Sequence, residues 1–192
     1  EVVRALQARY DRSGEKPFNI RLGMEMDYIP SRLPLAREVQ QRHDWEYSIG
    51  AVHKMGFEPL QQPELYEQWS IDDVCELYFH QVGMMVRDRF CDIIGHLDLP
   101  KKMGHRPAGG MLRYIEPLIS DLLASGITVE INTSGLDNPA QAFMPGWDVI
   151  EVLASRGVSL TLGSDAHAPH QVGRHFDQAL AEKTAKEIGT AV

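Results

Sequence analysis

Two cysteines, Cys75 and Cys91, are all that 192 residues contain, and they share neither a metal-binding spacing nor a paired framework. That argues against a disulfide scaffold, and a reducing cytoplasm is the compartment that fits. Long apolar runs are missing too, as is a signal-peptide pattern, so nothing in the chain reads as membrane-spanning. The first residues already follow a helical pattern (Val2, Val3, Leu6, Tyr10), which leaves room for an upstream targeting segment. Positive charge is scarce: 19 Lys and Arg against 27 Asp and Glu leave a net charge of −8. A chain so acidic is a poor sequence-independent ligand for nucleic acid or anionic membrane, although a local basic patch can still take a phosphate.

What is present is an ordinary globular balance, with 43% hydrophobic and 24% charged residues. The length suits one domain, residues 1–192, with a substantial core, and no linker or composition shift divides it. Apolar periodicity predicts a helix over residues 1–12, a turn at 13–17 and a strand over Phe18–Met24 that runs into Glu25-Met26-Asp27. A short helix should reach His43, and Tyr47–Val52 reads as a strand stopping at His53. A loop then runs to Pro63. Ser70-Ile71-Asp72-Asp73 has the look of a helix N-terminus, with the helix continuing to about Arg87. Phe90–Gly95 is the third strand, followed by a helix from about Gly110 to Ser125 that Gly126 should close. Ile127–Asn132 is the fourth strand. A helix over Trp147–Arg156 closes at Gly157 and leads to a fifth strand from Val158, and a last helix should end near Gly189. Strands alternating with helix-length crossovers imply an α/β fold with a parallel sheet.

The metal-competent side chains fall in one kind of place. Leu160-Thr161-Leu162-Gly163 is a strand that breaks at a glycine and then presents Asp165 and His167 two residues apart, a pairing suited to a divalent metal. Alone, this stretch reads as well as a helix cap followed by a surface histidine. Glu25, His53 and His96, however, also lie at or just beyond strand ends, and in a parallel barrel those ends share one face. Asn132 is a hydrogen-bond donor on the remaining strand rather than a ligand. Asp27 and Asp98 each follow a candidate ligand by two residues, where a carboxylate can orient an imidazole or line the pocket mouth. Lys101 and Lys102 read either as solvated charge or as cations meeting an anionic substrate. His43 and His80 read as solvent-facing.

Five stretches, in order, resemble the PHP (polymerase and histidinol phosphatase) superfamily, and most closely its histidinol-phosphatases. They are Leu22-Gly23-Met24-Glu25-Met26-Asp27-Tyr28-Ile29-Pro30, Tyr47-Ser48-Ile49-Gly50-Ala51-Val52-His53, Asp92-Ile93-Ile94-Gly95-His96-Leu97-Asp98-Leu99, Glu130-Ile131-Asn132-Thr133-Ser134-Gly135-Leu136 and Gly163-Ser164-Asp165-Ala166-His167. The resemblance implies a distorted (β/α)7 TIM-like barrel with two or three divalent ions (zinc, manganese or iron) at its C-terminal face. It carries ligand roles to Glu25, His53, His96, Asp165 and His167. The family opens with a His-x-His strand that this chain lacks. The expectation is therefore the C-terminal portion of a barrel of ~250 residues, holding at most one metal well by itself. Where the family often has an arginine after the Asn-Thr-x-Gly-Leu stretch, Asp137 follows Leu136.

The chemistry implied is phosphomonoester hydrolysis by a metal-bound hydroxide, with L-histidinol phosphate as the favoured substrate, in histidine biosynthesis. Asp165 and His167 are the catalytic candidates, and Lys101 and Lys102 the candidates for the substrate's phosphate. Two other readings stand beside it: a barrel hydrolase of the deaminase or amidase type, and a metal-poor scaffold or interaction domain. The partner expected is a small phosphate monoester, with no nucleic acid and no membrane. The sequence leaves the metal, the general acid and the oligomeric state open.

Overall fold

A computed structural model describes residues 1–11, 19–56 and 58–185. The turn expected at 13–17, the strand start at Phe18 and the helix end near Gly189 lie outside these residues. Seven strands are present among them: β1 (Gly23–Asp27), β2 (Tyr47–Ala51), β3 (Lys54–Met55), β4 (Glu58–Pro59), β5 (Ile93–Ile94), β6 (Thr128–Asn132) and β7 (Leu160–Gly163). Five of them form one sheet in the order β1-β2-β5-β6-β7, every neighbouring pair parallel. The α/β architecture with a parallel sheet is thus as expected, and its open, in-order winding is that of a partial barrel. β3 and β4 make a small antiparallel hairpin inside the expected loop, turning through Gly56 in the left-handed region at φ 61°.

The helices are α1 (Val2–Asp11), α2 (Leu33–Gln41), α3 (Pro63–Gln68), α4 (Ile71–Arg87), α5 (Leu112–Ile115), α6 (Ile119–Ser125), α7 (Trp147–Ser155) and α8 (Phe176–Ala185). The long central one, α4, buries Val74, Tyr78, Val82, Met85 and Val86, one stripe at helical spacing. Its start is fixed as the sequence suggests: the Ser70 hydroxyl accepts the Asp73 N–H at 3.1 Å. The helix expected over 110–125 is instead split by a 3₁₀ turn at Glu116–Leu118. Pro117 has no N–H to offer the carbonyl one turn back, so the α-helical ladder cannot run through it. Gly126 and Gly157, at φ 72° and 83°, end their helices in the left-handed conformation.

Alternation sorts the sheet residues onto two faces. Ile94, Val129, Ile131 and Leu160 join the apolar cluster under the helices. Gly50 faces the same way, where any β-carbon would strike the Cys91 side chain. Tyr47, Ile49, Ile93, Glu130 and Thr161 turn to the opposite face and line a cavity of about 520 Å³. The third strand is only two residues long because the chain leaves the sheet at His96, whose φ is +29°. Glu25 lies in the middle of β1 rather than beyond it, since pairing with β2 begins only at Gly23–Tyr47 and runs through Asp27–Ala51. No helix among the described residues is long and apolar enough to cross a membrane.

Replacing Ser70 by Ala should remove the α4 cap and lower stability by about 1 kcal/mol. Urea unfolding measures it, and an unchanged midpoint would show the cap to be dispensable.

Candidate metal centre

Parallel pairing delivers three of the expected side chains to one point. From β1 the Glu25 carboxylate reaches to 3.6 Å from His53 Nε2 and 3.5 Å from His96 Nε2. The two Nε2 atoms are themselves 3.2 Å apart. One oxygen and two imidazole nitrogens, mutually within 4.8 Å, are a donor set that a single divalent cation can share. Two neutral imidazoles whose Nε2 lone pairs face each other so closely repel unless a proton or a cation sits between them.

The two histidines are held in different ways. Asp27 accepts from His53 Nδ1, the role expected of a carboxylate two residues past a ligand, which leaves Nε2 free to ligate. His96 is buried, its peptide N–H donates to Glu130 Oε2 at 2.9 Å, and its own Nδ1 has no protein partner. The imidazole of His96 holds the Glu25 carboxyl below the usual carboxylate range, and His53 does the same to Asp27. Burial opposes charge on His96, but the adjoining Glu25, Glu130 and Asp165 outweigh it and raise its pKa.

Asp165 and His167 stand at the edge of this group. Asp165 follows β7 in the left-handed region at φ 47°, and its Oδ2 lies 3.2 Å from the Ser134 hydroxyl. Burial pushes its pKa up, yet His96 and the polar groups around it carry it below the ordinary value. Arg174 pins the turn by donating to the carbonyls of Ser164 and Asp165, each at 2.8 Å. His167 is far more open: its side chain is 80% exposed and its Nδ1 is 3.0 Å from the Asp165 carbonyl. Both residues line a cavity of about 460 Å³ together with Glu25, Asp27, His53, Gln61, His96 and Lys102. Neither falls within the compact group of three.

The adjacent lysines go opposite ways. Lys102 lines that cavity, whereas Lys101 is buried with its ammonium 2.5 Å from Asp98. Asp98 therefore does not orient an imidazole: it accepts from Lys101 and from the Gly146 N–H at 3.1 Å, tying the His96 loop to the start of α7. Burial raises the Asp98 pKa against the pull of Lys101. Asn132 donates as expected, but to Glu130, at 3.0 Å. Glu130 and Arg174 are the participants that sequence reasoning passed over. The signal for Glu130 was a charged residue inside an otherwise buried strand; Arg174, in a loop, offered none. His43 and His80 are exposed.

No family model matches the chain. It is 34% identical over 167 residues to the probable histidinol-phosphatase of Deinococcus radiodurans, covering 85% of this chain and 64% of that protein. The chain is thus similar to histidinol-phosphatases in sequence. It is also 30% identical over 182 residues to the probable histidinol-phosphatase of Schizosaccharomyces pombe, covering 84% of this chain and 58% of the other. The chain thus spans about three fifths of the length of these relatives. Its fold matches a candidate histidinol phosphatase of Listeria monocytogenes with a TM-score of 0.82, 15% identity, and coverage of 92% and 73% of the two chains. It matches the histidinol phosphate phosphatase of Lactococcus lactis, solved with zinc, L-histidinol and phosphate, at a TM-score of 0.77 and 18% identity over 99% and 73%.

Replacing Lys101 by Met should destabilise the protein by roughly 3–5 kcal/mol, because it strands the buried Asp98. Lys102→Met, in the cavity wall, should leave thermal unfolding within about 0.5 kcal/mol of wild type. Equal melting of the two variants would refute the division of roles.

Proposed function

We propose that the protein is a single PHP-type domain that hydrolyses a phosphate monoester, L-histidinol phosphate above all, with divalent metal held at Glu25, His53 and His96. The convergence of those three donors carries the reading. Kinship with histidinol-phosphatases and the zinc, histidinol and phosphate bound by the Lactococcus lactis protein support it. Zinc suits the nitrogen and oxygen donors best, with manganese or iron as substitutes and two or three ions in the full site.

When bound, such ions supply Lewis-acid activation of water and neutralise phosphoryl charge. The residues themselves orient the reaction. Asp27 fixes the His53 ring, and Glu25 contributes the negative charge that lets two cations sit close. Asp165 and His167 complete the ligand set from the opposite side of the cavity. Where His167 is not bound to metal, its exposed imidazole is available to hold a proton for the leaving oxygen. Asp137, in the position where relatives of this type often carry an arginine, is paired with Arg174 and His175. Lys102 lines this cavity, which supports it as the cation that would meet the substrate's phosphate.

The direct test is phosphate release from L-histidinol phosphate by the intact protein with zinc or manganese. Release should stop on chelation and return with metal; ammonia release from an amide or aminated ring, without phosphate, would replace this reading with a deaminase. Glu25→Gln should lower bound metal at least about tenfold in affinity, since an amide lacks the charge that holds the cations. Unchanged stoichiometry in that variant would remove Glu25 from the site. His96 keeps its proton to higher pH than a free histidine, so metal must displace that proton. Zinc affinity should therefore rise with pH through neutrality and weaken below it, with proton release visible in calorimetry across two buffers.

A further inference from the structure

Glu130 is a carboxylate only 6% exposed in the middle of β6, and no lysine or arginine pairs with it among the described residues. A buried charge of this kind is costly unless its oxygens are fully engaged. Its partners are specific. Oε2 accepts the peptide N–H of His96 at 2.9 Å and the Asn132 amide at 3.0 Å. The Asn132 Oδ1 in turn accepts the Ser134 N–H at 3.0 Å and lies 2.6 Å from the Ser134 hydroxyl. That hydroxyl is also 3.2 Å from Asp165 Oδ2, its single proton serving one acceptor at a time. A continuous polar line therefore runs from the His96 backbone through Glu130, Asn132 and Ser134 to Asp165.

Both ends of the line are residues in conformations that side chains avoid. His96 has φ +29° and Asp165 φ +47°, so each must be held there by its surroundings. The space for Glu130 is also provided for: a β-carbon at Gly163 would collide with its carboxylate. Gly163 opens the Gly163-Ser164-Asp165-Ala166-His167 stretch, and its missing side chain is the room that Glu130 occupies.

We infer that Glu130 is the positioning residue of the metal centre: it locks the His96 backbone and, through Asn132 and Ser134, the Asp165 carboxylate into one arrangement. The inference rests on the reading of this site as a metal centre. Glu130 touches no metal and no substrate. It acts through the geometry of two residues that follow separate strands, and Gly163 acts through Glu130.

The test compares Glu130→Gln, Glu130→Ala, Gly163→Ala and the double Glu130→Ala/Gly163→Ala variant in the intact protein. Zinc affinity is measured by titration calorimetry, and His96 amide exchange by NMR without metal. Glu130→Gln keeps an acceptor oxygen and should stay within about threefold of wild type. Glu130→Ala and Gly163→Ala should each weaken zinc by about tenfold or more. In the double variant the Gly163 change should add less than about threefold, because the group it displaces is gone. His96 amide exchange should be at least about tenfold faster in Glu130→Ala than in Glu130→Gln. Equal exchange in those two overturns the proposal, whatever zinc does, and so does a zinc affinity indifferent to Glu130→Ala. Gly163→Ala asks the same question by displacement where Glu130→Ala does not fold. A wild-type protein that exchanges as described but takes no zinc overturns the metal reading instead.

Discussion

Parallel pairing in chain order is the constraint on which the site depends. Glu25 stands level with Ile49 in the ladder, and Asn132 level with Gly163. Residues that follow β2, β5 and β7 therefore emerge at one edge of the sheet, which is where His53, His96 and Asp165 sit. Each helix between strands returns the chain to the opposite edge, so every strand can deliver its last residues to the same side. Were one strand reversed, its donor would be carried to the far end of the sheet.

The register has a cost that the polar residues meet in two different ways. On the helix-facing side, packing is apolar and tight enough that Gly50 has no room for a side chain beside Cys91. Near the site, charges are buried in engaged sets. Asp98 and Lys101 form an ion pair that also receives the Gly146 N–H, fastening the loop after His96 to α7. Glu130 engages peptide and amide groups through its Oε2 instead. Such arrangements are poor sources of net stability but strict about geometry, since losing one partner leaves a buried charge exposed to nothing. Strictness is what a multi-donor site needs.

Electrostatics at the centre are mutually dependent. Glu25 and Asp27 are held more acidic by the two histidines, while His96 is held more basic by the carboxylates around it. Four carboxylates, Glu25, Asp27, Glu130 and Asp165, thus surround two imidazoles in a small volume. That excess of negative charge suits a cation far better than it suits a bare protein. The same field would repel a phosphate, so the proposed activity places weight on metal and on Lys102.

The sequence by itself determined the α/β alternation, the capped start of α4 at Ser70, and the helix stops at Gly126 and Gly157. These depend on residues within one turn of each other: a hydroxyl before an acidic first turn, or a glycine where φ must be positive. It also showed that His53, His96, Asp165 and His167 lie beyond strand ends, because apolar runs mark strands and their interruption marks where they stop, but it put Glu25 at the end of a strand whose middle it occupies. It could not show the 3₁₀ break at Pro117 against a longer helical pattern, nor the hairpin at Gly56 within a loop. Only the tertiary structure decided that Glu25, His53 and His96 meet while His167 stays open, that Lys101 turns inward to Asp98 while Lys102 faces the cavity, and that Glu130 fills the room left by Gly163. Those choices are made by strand register and by distant partners, such as Glu130 for His96, 34 positions away, and Gly146 for Asp98, 48 away. Distances of that kind follow from how the strands pair, and no local pattern in the residues records them.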